Sequence, residues 1–354
     1  MTSKWEKLKN FFSSNKYQKI VIIPLTLFFA VVFFTWQSSQ VTQETTSNFT
    51  FIPEATAAIN EPVKPIPLKL ELDENRVILG NKLFHDPQLS TDGTISCATC
   101  HDLEAGGTDR LRTSMGMNQH QTPVNSPTVF NSGFMFKQYW DGRVDTLEEQ
   151  VNGPIETVGE MGGIPWENLL ARLKSSDEYV TMFREAYSDE ITADNVRNAI
   201  ATFERSLFTP NAPFDQYLRG NPDAITAQEK QGYELFKSYG CVTCHQGMLL
   251  GGNMFQTFGV MGDYFGDRGN IIQADLGRFN VTGNERDRYV FKVPTLRNIT
   301  LTAPYFHDGN AETLDQAIKI MAKYQLGVEL PQKDVDLIMG FLKTLTGEYK
   351  NEPL

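Results

Sequence analysis

From Asp73 onward the chain repeats apolar residues with the period of an amphipathic helix. Val77, Leu79, Leu83 and Phe84 fall on one face, and Asp73 stands where an N-cap would accept the first free N–H groups. The same spacing returns over 165–173, 177–186 and 192–207, each run with Ser, Thr or Asp near its start. Further helices are predicted at 226–237, 313–324 and 331–345. Strand signals are sparse, and the best is 289–293, Tyr-Val-Phe-Lys-Val. Two long stretches, 104–124 and 247–284, are rich in Gly and polar residues and read as loops. Loops that long in compact domains tend to carry function.

The N-terminal pattern differs. Residues 20–36 form an apolar run without a charge, preceded by Lys4, Lys7, Lys9, Lys16 and Lys19 against the single acid Glu6. Positive flanks stay in the cytoplasm, so the remainder is expected outside it. The run exceeds a usual signal-peptide core and no convincing Ala-x-Ala site follows, which favours an uncleaved anchor over a removed signal. Residues 37–60 are rich in Ser, Thr, Gln and Ala, and Pro62, Pro65 and Pro67 extend the segment. The expected organisation is therefore 1–36 tail and anchor or signal, 37–68 tether, then a body of two domains, 69–212 and 213–354.

All four cysteines lie in two copies of one pattern, Cys97-Ala98-Thr99-Cys100-His101 and Cys241-Val242-Thr243-Cys244-His245. Cys-x-x-Cys-His is the attachment sequence for c-type haem. Two thiols add across the haem vinyl groups, and the next residue places an imidazole under the iron. The alternative is a redox pair or zinc half-site with a histidine beside it by chance. With five His in 354 residues, that coincidence occurring twice is remote. The proximal histidines are 144 positions apart, which suits one haem per domain, and no cysteine remains for a structural disulfide. The pattern thus reads as all-α, two cytochrome-c-like haem domains with long loops behind an N-terminal transmembrane helix. Two haems imply electron transfer or redox catalysis. Covalent attachment outside the bacterial cytoplasmic membrane agrees with the export signal. A net charge of −11 argues against nucleic acid or anionic lipid as partners and suits a basic redox partner.

An ordered set of short motifs surrounds the two attachment sites. Leu79-Gly80-x-x-Leu83-Phe84-x-Asp86-Pro87-x-Leu89-Ser90 precedes the first. Asn125-Ser126-Pro127-Thr128, Trp140-Asp141-Gly142-Arg143, Gly153-Pro154-Ile155 and Glu160-Met161 follow it. After the second come Gly251-Gly252, Lys292-Val293-Pro294, Leu296-Arg297-Asn298 and Ala303-Pro304-Tyr305-Phe306-His307-Asp308-Gly309. Over about 79–345 the chain resembles the bacterial di-haem cytochrome c peroxidases. That family also includes the di-haem enzyme that matures tryptophan tryptophylquinone.

The resemblance implies a periplasmic enzyme that reduces hydrogen peroxide with electrons from a small cytochrome c or cupredoxin. It makes 69–212 the peroxidatic half and 213–354 the electron-transfer half. It places the sixth ligand of the second iron at Met321, which helical spacing alone would read as core. The quinone-maturation enzyme uses Tyr there, and Tyr324 lies one turn on. It assigns Glu160 to the proton shuttle of O–O cleavage, Gln150 to a hydrogen bond beside it, and Trp140 to the electron path between haems. By composition alone Glu160 is one of 43 acids on a solvated surface, and Trp140 is interface packing. Where switchable relatives carry a blocking histidine, the ungapped register holds Met117; His120, three residues on, is the rival for that place. A calcium ion on the Asn125 side chain and the Thr302 and Pro304 carbonyls, and a possible homodimer, follow from resemblance alone. Two other functions compete: oxidation of protein side chains, and electron carriage without enzymatic turnover.

Overall fold

A computed structural model describes residues 61–188 and 191–354, all of which fall in one compact unit. The apolar run at 20–36 lies outside the described residues. Among those described, no helix is long and apolar enough to cross a membrane.

Seven helices of eight residues or more carry the described chain: α1 (Glu74–His85), α2 (Trp166–Lys174), α3 (Asp177–Tyr187), α4 (Ala193–Ser206), α5 (Ala227–Ser238), α6 (Leu314–Met321) and α7 (Gln332–Lys343). Their starts follow side-chain chemistry. Asp73 accepts from the Arg76 N–H at 3.0 Å, and Thr192, Thr226 and Thr313 cap α4, α5 and α6 in the same way. α6 ends earlier than its pattern predicts. At Ala322–Leu326 it widens into one π-helical turn, a feature that recurs at functional sites.

Two hydrophobic cores are built alike. In the first, α1 packs on α4 through Leu79, Leu83 and Phe84 against Val196, Ala199, Ile200 and Phe203. In the second, α5 packs on α7 through Tyr233 and Phe236 against Val335, Ile338 and Phe341. Each crossing turns on a glycine. A Cβ on Gly80 would lie 2.0 Å from the Ala199 carbonyl oxygen, and one on Gly232 would lie 2.0 Å from that of Leu337. The obstacle is helix backbone, which cannot move aside. Gly80→Ala is therefore expected to destabilise the protein by about 1–3 kcal/mol despite Ala's higher helix propensity. Chemical denaturation would measure it, and an unchanged or raised midpoint would contradict the close crossing.

The fold is helix-rich, but the expectation of an all-α chain needs correction. β1 (Phe255–Thr257) pairs antiparallel with β2 (Val290–Lys292), and β3 (Glu348–Tyr349) with β4 (Glu352–Pro353). All three residues of β2 are buried, so their backbone groups must find partners, and β1 supplies them. The strand expected at 289–293 is this one.

The expected tether at 37–68 is corrected at its end. Val63 and Ile66 are fully buried, Val63 within the second core. Arg297 holds the segment there, donating to the Lys64 and Met248 carbonyls at 3.0 and 2.8 Å and pairing with buried Asp215 at 2.7 Å. The Ile66 N–H reaches the same Asp215 carboxylate at 3.3 Å. Chain and core also cross at the other end, where Tyr349 and Leu354 pack on the first core. Between the halves lies a buried polar hub. The Asn131 side chain exchanges hydrogen bonds with Thr209 at 2.8 and 2.9 Å, and Asn298 donates to Thr209 at 3.2 Å and accepts from the Gly347 N–H at 3.1 Å.

Candidate active site

Both Cys-x-x-Cys-His motifs fold as one tight turn. The His101 N–H donates to the Cys97 carbonyl, and the His245 N–H to the Cys241 carbonyl, each at 3.0 Å. This carries each imidazole back beside the first cysteine. His101 Nδ1 lies 3.2 Å from the Gly107 carbonyl, and His245 Nδ1 lies 2.9 Å from the Leu250 carbonyl. A carbonyl only accepts, so each Nδ1 carries the proton and each Nε2 keeps its lone pair for a metal. Burial pushes both imidazoles toward the neutral form that an iron requires.

The four cysteines are free, and burial pushes the Cys97 thiol up to about 12 and those of Cys100 and Cys241 to about 11. Neither motif brings three metal-ligating atoms within 4.8 Å of one another among the described residues. A zinc site fits this poorly. A group that bonds covalently to both sulfurs and takes one imidazole fits it well, and haem c is that group.

After the first motif the loop at 104–124 interlocks with the segment that carries Glu160. The Met117 N–H donates to the Glu160 carbonyl at 3.0 Å, and the Gly116 N–H to the His120 carbonyl at 2.8 Å. The Met117 sulfur packs on Gly162, where an added Cβ would come within 2.3 Å of it. His120 is exposed and covers Gly159, an added Cβ there lying 2.3 Å from its ring. Burial raises the Glu160 carboxyl above its ordinary value, while the charges of Arg143 and His120 draw it the other way. Its backbone meets the loop at 104–124 through Met117, and its charge acts on the Cys100 thiol and the Tyr139 hydroxyl. Arg143 stacks on the Tyr139 ring at 3.4 Å, and the Tyr139 hydroxyl donates to the Gln150 carbonyl at 2.7 Å. Gln150 is thus joined to the cluster through its backbone.

Trp140 lies at the seam of the halves. Its indole N–H donates to the Asn125 carbonyl at 2.9 Å, its carbonyl accepts from the Lys292 N–H at 2.8 Å, and its ring meets His307 edge-on at 6.4 Å. Trp140 and Met321 both flank one aromatic cluster, Phe258, Tyr264, Phe265, Phe291 and Tyr324. The Tyr324 hydroxyl is committed elsewhere, donating to Asp267 at 2.9 Å. Asn125 is buried and its N–H donates to the His307 carbonyl at 2.8 Å, which brings it to the segment that carries Thr302 and Pro304. The Asn125 amide nitrogen is spent on the Leu111 carbonyl at 2.9 Å.

Three groups near the site were given no role by the sequence reading. His307 Nε2 pairs with buried Asp275 at 2.7 Å, and the Arg268 guanidinium bridges Asp275 and Asp308. Burial would raise the Asp275 carboxyl, but His307 and Arg268 hold it well below the usual range. With a guanidinium already between the two acids, this is an ion-pair network that fixes the His307 ring against Trp140. Glu204 is buried beside Cys97, and burial pushes its carboxyl up to about 8. Lys292 is buried within β2. Asp275 lies 32 residues from His307, and Glu204 more than 100 from Cys97, so no local pattern joins either acid to its neighbour.

The sequence pattern of di-haem cytochrome c peroxidases matches residues 74–223. Cytochrome c peroxidase Ccp of Escherichia coli is 51% identical over 290 residues, 82% of this chain and 62% of its own length. The chain therefore spans under two thirds of that relative. Cytochrome c551 peroxidase of Nitrosomonas europaea is 45% identical over 84% of this chain and 88% of its own. The crystal structure of a MauG-like protein associated with microbial copper homeostasis aligns with a TM-score of 0.71 at 29% identity, covering 80% of this chain and 93% of that one. With two Cys-x-x-Cys-His turns that suit haem c and these relatives across most of its length, the chain belongs to the di-haem cytochrome c peroxidase family.

Proposed function

We propose that the chain reduces hydrogen peroxide to two waters at its first haem site, with two electrons from a small cytochrome c or cupredoxin entering at its second. Cytochrome c peroxidase activity is shared by relatives 42–51% identical over 80–84% of this chain. The observation that carries the reading is Glu160, joined through the Met117 N–H to the loop that follows the first motif, its carboxyl held toward the protonated form by burial. Bound haem c, attached through Cys97 and Cys100 and through Cys241 and Cys244, supplies the iron that accepts peroxide and the second iron that stores an electron.

The protein's residues do the rest. Glu160 moves a proton from one peroxide oxygen to the other, so that the departing oxygen leaves as water. Arg143 keeps a positive charge near that carboxyl, and the Tyr139–Gln150 hydrogen bond fixes the wall on which Arg143 stacks. Trp140, tied to the first half by Asn125 and to the second by Lys292, is the aromatic bridge for the electron. Asn125, Thr302 and Pro304 would hold a calcium ion at the same seam, with neutral oxygen donors that suit it.

In this reading Met321 would help to hold the second iron. Met321→His should keep that haem low-spin but lower its potential, because imidazole stabilises ferric iron better than thioether. A spectrum and potential unchanged by the substitution would remove Met321 from the site. The alternative of side-chain oxidation calls for a tyrosine at the second iron, and the Tyr324 hydroxyl bonded to Asp267 weighs against it. The setting is the periplasm, with the apolar run at 20–36 as membrane anchor or removed signal. The function is tested by mixing the haem-loaded protein with reduced cytochrome c and peroxide. Two cytochromes oxidised per peroxide support the reading, and no donor oxidation above the rate without enzyme sinks it.

A further inference from the structure

Lys292 carries a buried cation that the protein itself leaves without a counter-ion. The residue is 6% exposed at the end of β2, with its N–H on the Trp140 carbonyl and Phe255 opposite it in the ribbon. Its ammonium reaches the Met135 sulfur at 2.9 Å, a weak acceptor without charge. Asp141 is the acid whose charge it feels, but that carboxylate pairs with Arg143 at 2.9 Å. Among the described residues no carboxylate lies within ion-pair distance of Lys292. Burial pushes the ammonium down to about 8, with Asp141 drawing it the other way. Such a group is strongly unfavourable in a protein interior unless an anion meets it there.

The second attachment motif lies close along the chain of contacts. The Gln256 amide of β1 is 3.8 Å from the Cys244 sulfur. The Gly252 N–H donates to the carbonyl of Val293, next to Lys292, and the Leu296 N–H donates to Leu249, adjacent to the Leu250 carbonyl that orients His245. An anion delivered with the cofactor would therefore arrive where the cation waits, and each haem carries two carboxylates. We infer that Lys292 is a haem-binding residue whose ammonium pairs with a haem propionate at the seam between the halves. The inference rests on both motifs carrying haem.

The test uses the haem-loaded protein, first shown by its pyridine haemochrome to hold two haems c per chain. A wild-type protein without them would defeat the haem reading itself, apart from any role of Lys292. The potentials of both haems are then measured in wild type, Lys292→Met and Lys292→Gln. Removing the cation should favour the ferric state of the partnered haem by about tenfold, or about 59 mV for one electron. A shift at the His245 haem identifies its propionate as the partner, and a shift at the His101 haem identifies the other. Unchanged potentials at both haems in folded, fully loaded variants overturn the inference. Lys292→Arg keeps the charge and should keep the potential, but it must move the propionate-bending band in the resonance Raman spectrum. An unmoved band in that conservative variant overturns it as well.

Discussion

Glu160→Gln is expected to reduce peroxide turnover by about a hundredfold or more with haem content unchanged. The amide keeps the size of the side chain but has no acidic proton to give. Glu160 is suited to the task because burial favours its protonated form, while Arg143 and His120 favour the ionised form. A carboxyl balanced between these influences can take a proton and return it. The substitution leaves the backbone contacts intact, since the Glu160 carbonyl, not its side chain, holds Met117. Steady-state turnover with a reduced cytochrome measures the effect. The spectrum and potential of the second haem should be unchanged, which separates a lost proton shuttle from a damaged fold. Full activity in this variant would mean that another group moves the proton.

The second large effect concerns activation. On the proposed reading, all-ferric protein is expected to react with peroxide without prior reduction, with Met117 in the place that the resemblance gives to a blocking histidine. A thioether binds ferric iron more weakly than an imidazole, so peroxide displaces it more readily. The Met117 sulfur is also engaged against Gly162, and its N–H is bonded to Glu160, so the loop has its own packing to hold it. Met117→His should install the missing gate and make the all-ferric protein slow until one electron enters, a two-state switch biased by redox state. Stopped-flow mixing of each all-ferric protein with peroxide distinguishes them by the rate of the haem absorbance change. His120 is the rival gate. Its ring covers Gly159 and it is exposed. A wild-type protein that stays unreactive, and becomes reactive on His120→Gly, would assign the gate to His120.

Sequence spacing by itself determined the features that depend on near neighbours. Helix starts at Asp73, Thr192, Thr226 and Thr313 were legible because an N-cap acts on groups two or three residues away. The two attachment turns were legible for the same reason, since five consecutive residues contain the thiols and the imidazole. The buried strand at β2 stood out through its β-branched and aromatic run. By contrast, Glu160, Trp140 and Met321 were singled out by resemblance, and nothing in their own neighbourhood marks them.

Tertiary structure alone decided the rest. The prolines near residue 65 suggested an extended tether, yet Val63 and Ile66 are buried because Arg297, more than 200 residues away, supplies their segment with hydrogen-bond donors. Arg268, Asp275, His307 and Asp308 form one network from two loops, and only folding brings their charges within reach. Lys292 reads in sequence as an ordinary lysine in a short strand. Its meaning comes from being buried without an acid beside it. Local patterning fixes what a segment can form, because capping and periodicity act over a few residues. Burial and charge pairing act through space, so the chemistry of this site was decided by which distant segments the two cores bring together.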